Sequence, residues 1–287
     1  MLQCVVFNVR LGQCVGFFPK DDLEYSMLVD CGHEGDFHPI DFIKANIKGM
    51  PLNKSGKIII NNLTLTNYDH DHFSGLPYLM NSTEIKTVRF PKNLSIDDLK
   101  NLKDDSTEAL EAVFDIKSRY TATAQNYNPP YVKKAFSLTQ DELRAASVPV
   151  ETNHLSQLVF VTYGNRTICI TGDLEKPSWE LMLKKTEIKE LLKKTNIFFA
   201  SHHGRLNGYC SDVFNYCKPE CIIISDKEMV HGTQENMSQV YSKHVYGNGI
   251  QFASKESSNI RKVITTRSDG HISINIKSNG IVEYISI

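Results

Sequence analysis

The 287-residue sequence has no long apolar run. No window approaches roughly 18 uninterrupted apolar residues, so no transmembrane helix and no membrane role are expected. It also has no recognisable leader. The opening MLQCVVFNVRLGQC is apolar, but it lacks a basic segment and a long hydrophobic stretch, and it reads as a first strand. An excess of one charge is missing too. Lys and Arg number 32 against 33 Asp and Glu, a formal charge of -1. That excludes a globally basic nucleic-acid coat but allows a local basic rim. Cysteines are few: Cys4, Cys14, Cys31, Cys169, Cys210, Cys217 and Cys221. None forms a Cys-x-x-Cys pair, so neither a disulfide framework nor a thiolate zinc site is indicated, and a reducing cytoplasm fits. Internal repeats and low-complexity tracts are absent. Hydrophobic residues at 41%, with near-zero net charge, exclude disorder and provide enough material for one large core.

Strand-like runs open the chain: 4–10, 14–19 and 26–32, short, β-branched or aromatic, and separated by turns. Residues 37–48 have apolar positions at helical spacing. A buried strand is expected over 57–69, a short helix after it, and another strand over 86–91. Residues 92–150 differ in character. They are charged and helix-prone and break at QNYNPP, which reads as a helical insertion, a surface helical pair or a lid. Beyond it, 155–173 reads as a hairpin around Gly164-Asn165. A Lys/Glu-rich helix is expected over 177–195, and a strand over 196–204 that ends in two histidines. The rest alternates helices and strands. Strands followed by helices, twice over, suggest a layered α/β domain with a sheet from each half.

Three clusters carry chemistry, each at the end of an apolar strand. The first is Asn67-Tyr68-Asp69-His70-Asp71-His72, which crowds carboxylates and imidazoles suited to zinc, manganese or iron. A polar turn capping the next helix is the blander alternative. The second is Thr171-Gly172-Asp173, whose carboxylate has two oxygens to share between cations, or else caps a helix. The third is Ser201-His202-His203-Gly204. Adjacent residues on a strand point to opposite faces, so one of the two histidines is expected to be a ligand and the other to orient a ligand, bind substrate or donate a proton. His154 and His231 each follow or precede a strand and are weaker candidates. His33, His38, His244 and His271 read as surface.

In this order the clusters resemble the signature of the metallo-β-lactamase fold superfamily. Within it, the sequence resembles the soluble hydrolase domain of the competence protein ComEC and its stand-alone relatives. The matching segments are Val9 to Cys14, Leu28 to Gly32, Asn67 to Gly75, Asn153 to Ser156, Thr171 to Asp173, Ser201 to Gly204, Val230 to Gly232 and Thr266 to Gly270. They span nearly the whole chain except 92–150. The resemblance implies a four-layer αββα sandwich in one domain, residues 1–287, with the insertion at about 92–150. It implies that Asp71, His72, Asp173 and His203 hold one divalent ion, and that Asn67, Asp69 and His154 lie at a second. Asp71, His202 and His231 would act on water or substrate. Asn67 stands where the family has His, and a neutral amide is a poor ligand, so one tight and one loose ion are expected. The implied activity is metal-dependent hydrolysis of a phosphodiester, with nucleic acid or a small phosphodiester or ester as substrate. A degenerate fold that binds without catalysis is the third reading.

Overall fold

The structure, a computed structural model, describes residues 1–91, 94–103, 107–122, 127–227, 236–254 and 257–287. Its strands are β1 (Leu2–Val6), β2 (Val15–Pro19), β3 (Met27–Val29), β4 (Ile58–Thr64), β5 (Thr83–Arg89), β6 (Val132–Phe136), β7 (Leu158–Tyr163) and β8 (Arg166–Ile170). They continue with β9 (Thr195–Phe199), β10 (Cys221–Ile224), β11 (Ile250–Ala253), β12 (Ser258–Arg261), β13 (Val263–Thr265), β14 (Ile272–Ile276) and β15 (Val282–Ser286). The helices are α1 (Pro39–Asn46), α2 (His70–Phe73), α3 (Leu76–Ser82), α4 (Ile96–Leu102), α5 (Glu108–Arg119), α6 (Gln140–Ala145), α7 (Lys176–Met182), α8 (Thr186–Lys193), α9 (Met237–Ser242) and α10 (Thr266–Asp269).

Two sheets result, in the orders β12-β11-β15-β14-β1-β2-β3-β4-β5 and β13-β10-β9-β8-β7-β6. Alternation along the strands decides which side chains face which layer. Leu2, Cys4 and Val6 of β1 pack with Val15 and Phe17 of β2 against Val159, Ile168, Ile197 and Phe199 of the other sheet. The intervening Val5 and Phe18 face the opposite way, into the helical layer. Phe7 meets Phe42 of α1 edge-on at 5.6 Å, and Trp179 of α7 lies 6.2 Å from Phe198 of β9. Each fully buried Leu, Ile or Phe contributes roughly 1.5–3 kcal/mol. The arrangement is the expected αββα sandwich.

Residues 92–150 differ from the helical insertion expected. Helices are there: Ser95 and Thr139 form capping boxes with Asp98 and Glu142, and Thr107 Oγ1 accepts the Leu110 amide. Between them, however, β6 pairs antiparallel with β7 and becomes the edge of the second sheet. Two lysines in VKKAF obscure its strand pattern, and lysine suits an exposed edge. Leu99, Val113, Ile116 and Leu143 are buried in the main core, so the helices share it and do not simply decorate the surface. The helix expected over 177–195 is two helices, α7 and α8. The hairpin is as read: Tyr163 pairs with Arg166 across Gly164, whose φ is +59°.

The sheets place their parallel strands' C-terminal ends toward one crevice. β3 runs parallel to β4, and β8, β9, β10 and β13 run parallel to one another. Ligand-binding crevices in α/β folds form at such ends.

Candidate metal centre

Four side chains converge in that crevice. Asp71 and His72 come from α2, Asp173 follows β8, and His203 follows β9 in a short 3₁₀ turn. One ligand atom from each lies within 4.8 Å of the others. His72 and Asp173 are almost completely buried, whereas the Asp71 side chain keeps 18% of its surface exposed.

Hydrogen bonds behind the cluster settle which way the imidazoles face. His72 Nδ1 lies 2.9 Å from Asp30 Oδ2. Asp30, itself fully buried, also accepts from Gln13 Nε2, from the Thr66 amide and from Thr66 Oγ1. Its carboxylate is therefore an acceptor, and the Nδ1 hydrogen belongs to His72. His203 Nδ1 donates to the Ser225 carbonyl at 2.8 Å. Both rings then present Nε2 to the centre. His72 Nε2 faces Asp173 Oδ1 at 3.0 Å, and His203 Nε2 lies 3.2 Å from Asp71 Oδ2 and 3.5 Å from Asp173 Oδ1. Yet His72 Nε2, His203 Nε2 and Asp173 Oδ1 are buried with no partner of hydrogen-bond geometry. Buried lone pairs without donors are costly unless something positive lies between them.

The electrostatics agree. Burial would lower the His72 pKa, but Asp173 and Asp30 outweigh it and raise it well above the ordinary imidazole value. His203 is raised in the same way, against burial, by Asp173 and Asp71. Burial would raise Asp173, but His72 and His203 bring it down to about 2. Asp71 is likewise held well below the carboxylate range, with His203 and His72 outweighing burial. A site that draws in protons this way also fits a cation, since metal and protons compete for the same lone pairs. An N₂O₂ donor set with each imidazole backed by an acceptor suits a divalent ion such as zinc or manganese.

Backbone strain is concentrated here. Among the described residues, five non-glycines have positive φ, and Asp30, His202 and His203 are three of them. Such conformations persist where surrounding contacts enforce them. Gly12 and Gly32 close on the Asp71 carbonyl. A Cβ on either would sit 1.9 or 1.8 Å from that oxygen, so only glycine permits the approach.

The other expected residues fall outside the four-atom cluster. Asn67 is wholly buried; its Nδ2 donates to Asn153 and its Oδ1 accepts the Tyr68 amide. Asp69 carries Lys103 at 2.5 Å and Thr152 Oγ1 at 2.6 Å. His154 Nδ1 pairs with Ser178 Oγ at 2.9 Å. His202 sits at the rim, 3.9 Å from Asp173 and 3.5 Å from Glu175. Its Nε2 accepts from Arg205 Nη1 at 3.0 Å, because a guanidinium only donates. Burial first, and then Arg205, lowers the His202 pKa despite Asp173. His231 lies outside the described residues. Sequence reasoning did not single out Thr66, Ser225, Glu175 or Lys103, and it matched Asp30 within Leu28 to Gly32 without giving it a role. Asp30 had a legible signal, an acid ending an apolar strand before Gly32, the same pattern that marks Asp173.

The sequence profile of the metallo-beta-lactamase superfamily matches residues 21–209, well over half of the chain. No curated protein is similar enough to stand as a relative. Among solved structures, the metallo-beta-lactamase fold protein YhfI from Bacillus subtilis is 12% identical with a TM-score of 0.51, over 99% of this chain and 100% of that one. Yeast PDE1 is 13% identical with a TM-score of 0.52, over 95% and 99%. A variant of the CmlA β-hydroxylase from Streptomyces venezuelae is 11% identical with a TM-score of 0.55, over 96% of this chain and 54% of that one. At such identities the likeness speaks for the fold, and it agrees with the two-sheet sandwich and its strand-end crevice. With the profile spanning residues 21–209, and so Asp71, His72, Asp173 and His203, the chain belongs to the metallo-beta-lactamase superfamily.

Proposed function

We propose that the protein is a metal-dependent hydrolase in which Asp71, His72, Asp173 and His203 hold a divalent cation, zinc or manganese. The observation that carries this reading is the convergence of these four side chains within 4.8 Å, with three of their buried atoms lacking any hydrogen bond. A bound divalent cation would supply Lewis acidity and make water more acidic. Asp30 and the Ser225 carbonyl hold the imidazoles in the tautomer with Nε2 free. Asp71, the most exposed of the four, is placed to orient a water or take its proton. His202 accepts from Arg205, whose guanidinium suits an anionic oxygen. His231 is the proposed proton donor to the leaving group.

The substrate class we propose is a phosphodiester. The resemblance of its sequence motifs to the ComEC hydrolase domain supports nucleic acid. One observation favours a smaller substrate: two of the cations on the loops after the second sheet's strands already face carboxylates. Arg267 meets the buried Asp226 at 3.1 Å, and Lys227 lies 3.9 Å from Glu34. Affinity for a phosphate backbone comes from lysine and arginine charge, and paired charge contributes less.

The test uses protein loaded with zinc or manganese against a chromogenic phosphodiester, a chromogenic ester, plasmid and single-stranded DNA. Hydrolysis of the small phosphodiester is expected, with a loss of at least about 100-fold in Asp71→Ala. DNA cleavage abolished by the same substitution would restore the polymer as substrate. No bound metal and no hydrolysis of any substrate would leave a binding protein without catalysis.

A further inference from the structure

Two sides of the crevice are built differently. On one side, Asp71, His72, Asp173 and His203 present ligand atoms with no hydrogen-bond partner. On the other lie Asn67, Asp69 and His154, the residues expected at a second ion, and the first two already spend their donors and acceptors within the protein. The Asn67 carbonyl oxygen is taken by the Tyr68 amide, and its amide nitrogen by Asn153. Ser178 Oγ donates to the His154 carbonyl and so accepts from His154 Nδ1, which leaves only Nε2 of that ring as a ligand, one atom where a tight site needs three or four. Asp69 Oδ1 receives both the Lys103 ammonium and the Thr152 hydroxyl. The pair is partly sheltered, with 23% of the Lys103 side chain and 28% of Asp69 exposed. No other group of three or more His, Cys, Asp or Glu ligand atoms gathers among the described residues.

We infer that this centre holds one cation, not two, and that Lys103 supplies on the Asn67–Asp69 side the positive charge a second ion would bring. A lysine ammonium is a compact unit charge with three donors, so it can neutralise a carboxylate that would otherwise recruit a metal. Lys103 comes from the C-terminal end of α4, inside the 92–150 segment. That segment thereby completes the centre electrostatically as well as adding to the core. Lys103 is a positioning residue: it holds Asp69 and the charge balance, and it does not belong to the four-residue cluster.

This inference rests on reading that cluster as a metal site, and the test separates the two. The 287-residue protein is saturated with zinc, or separately with manganese, freed of excess by dialysis, and its metal counted by mass spectrometry. Wild type, Asp173→Ala, Lys103→Met and Lys103→Arg are compared, with thermal melts establishing that each folds. One ion per chain is expected in wild type and in Lys103→Arg, none in Asp173→Ala, and a second equivalent in Lys103→Met, where Asp69 loses the ammonium and keeps only the Thr152 hydroxyl. No ion in wild type defeats the metal-centre reading itself. Two ions in wild type, or a Lys103→Met count equal to the wild type's single ion, overturn the inference.

Discussion

At the scale of the residue, the proposed metal centre depends on side chains outside its four-residue cluster. Asp30 is buried, strained at φ +60°, and saturated with donors from Gln13, Thr66 and His72. Its work is to keep the proton on His72 Nδ1 and the lone pair on Nε2. Removing such a supporting carboxylate typically costs 10–100-fold in metal affinity. Asp30→Asn should therefore weaken zinc binding by about 10–100-fold, as read by competition with a chromogenic chelator. Unchanged affinity would show that the ring is held by packing alone. Legibility at this scale was uneven. Asp71, His72, Asp173 and His203 stand in dense, ordered clusters at strand ends. Lys103 and Ser225 do not, because a lone lysine and a backbone carbonyl carry no sequence signature. Asn67 illustrates a different limit. Its poor fit as a ligand was visible in the sequence, but the hydrogen bonds that occupy it come from residues brought in by folding.

At the scale of the element, β6 shows how an edge strand can disappear into a helix-like pattern. Its Lys133 crosses from the second sheet to the first and donates to Asn62 Oδ1 at 2.6 Å and Thr64 Oγ1 at 3.0 Å on β4. Burial, and then the nearby Arg89 charge, brings its pKa down from 10.5 to about 7. The unfolded chain keeps that proton up to about pH 10.5, so between these values it binds more protons than the folded protein does. Stability from this group must therefore rise with pH above about 7. The melting temperature of wild type relative to Lys133→Met should increase between about pH 7 and pH 9. A flat difference would mean that the amine stays charged in the folded state. The register of β6 on β7 was illegible because only pairing distinguishes a lysine-bearing edge strand from an exposed helix turn. The β7–β8 hairpin was legible because its alternation and its Gly-Asn turn agree.

At the scale of the whole molecule, one apolar layer is shared by both sheets. Val6 and Phe17 lie in the same buried cluster as Val161 and Phe199. The crevice takes Asp71 and His72 from the first sheet's side and Asp173 and His203 from the second's. Sheets coupled through a core and a site are expected to melt in one cooperative transition. A ligand that binds only the folded state adds about 2.7 kcal/mol at a concentration 100 times its dissociation constant. Zinc or manganese should accordingly raise the melting temperature reversibly, and a chelator should lower it again. Two resolved transitions, with only one responding to metal, would show that the halves fold separately.

No helix among the described residues is long and apolar enough to cross a membrane, as the lack of a long apolar run required. Composition excluded disorder, periodicity predicted two sheets, and the acids and histidines at strand ends marked the crevice. Those are local properties, and each is carried by neighbours in the chain. Tertiary structure alone decided which lone pairs remain unsatisfied. It set Asp30 behind His72, the Ser225 carbonyl behind His203 and Lys103 against Asp69. These contacts join residues 42, 22 and 34 positions apart. A residue's donors and acceptors are spent on whatever folding brings within 3 Å, and only then does a run of acids and histidines become a centre for one charge or for two.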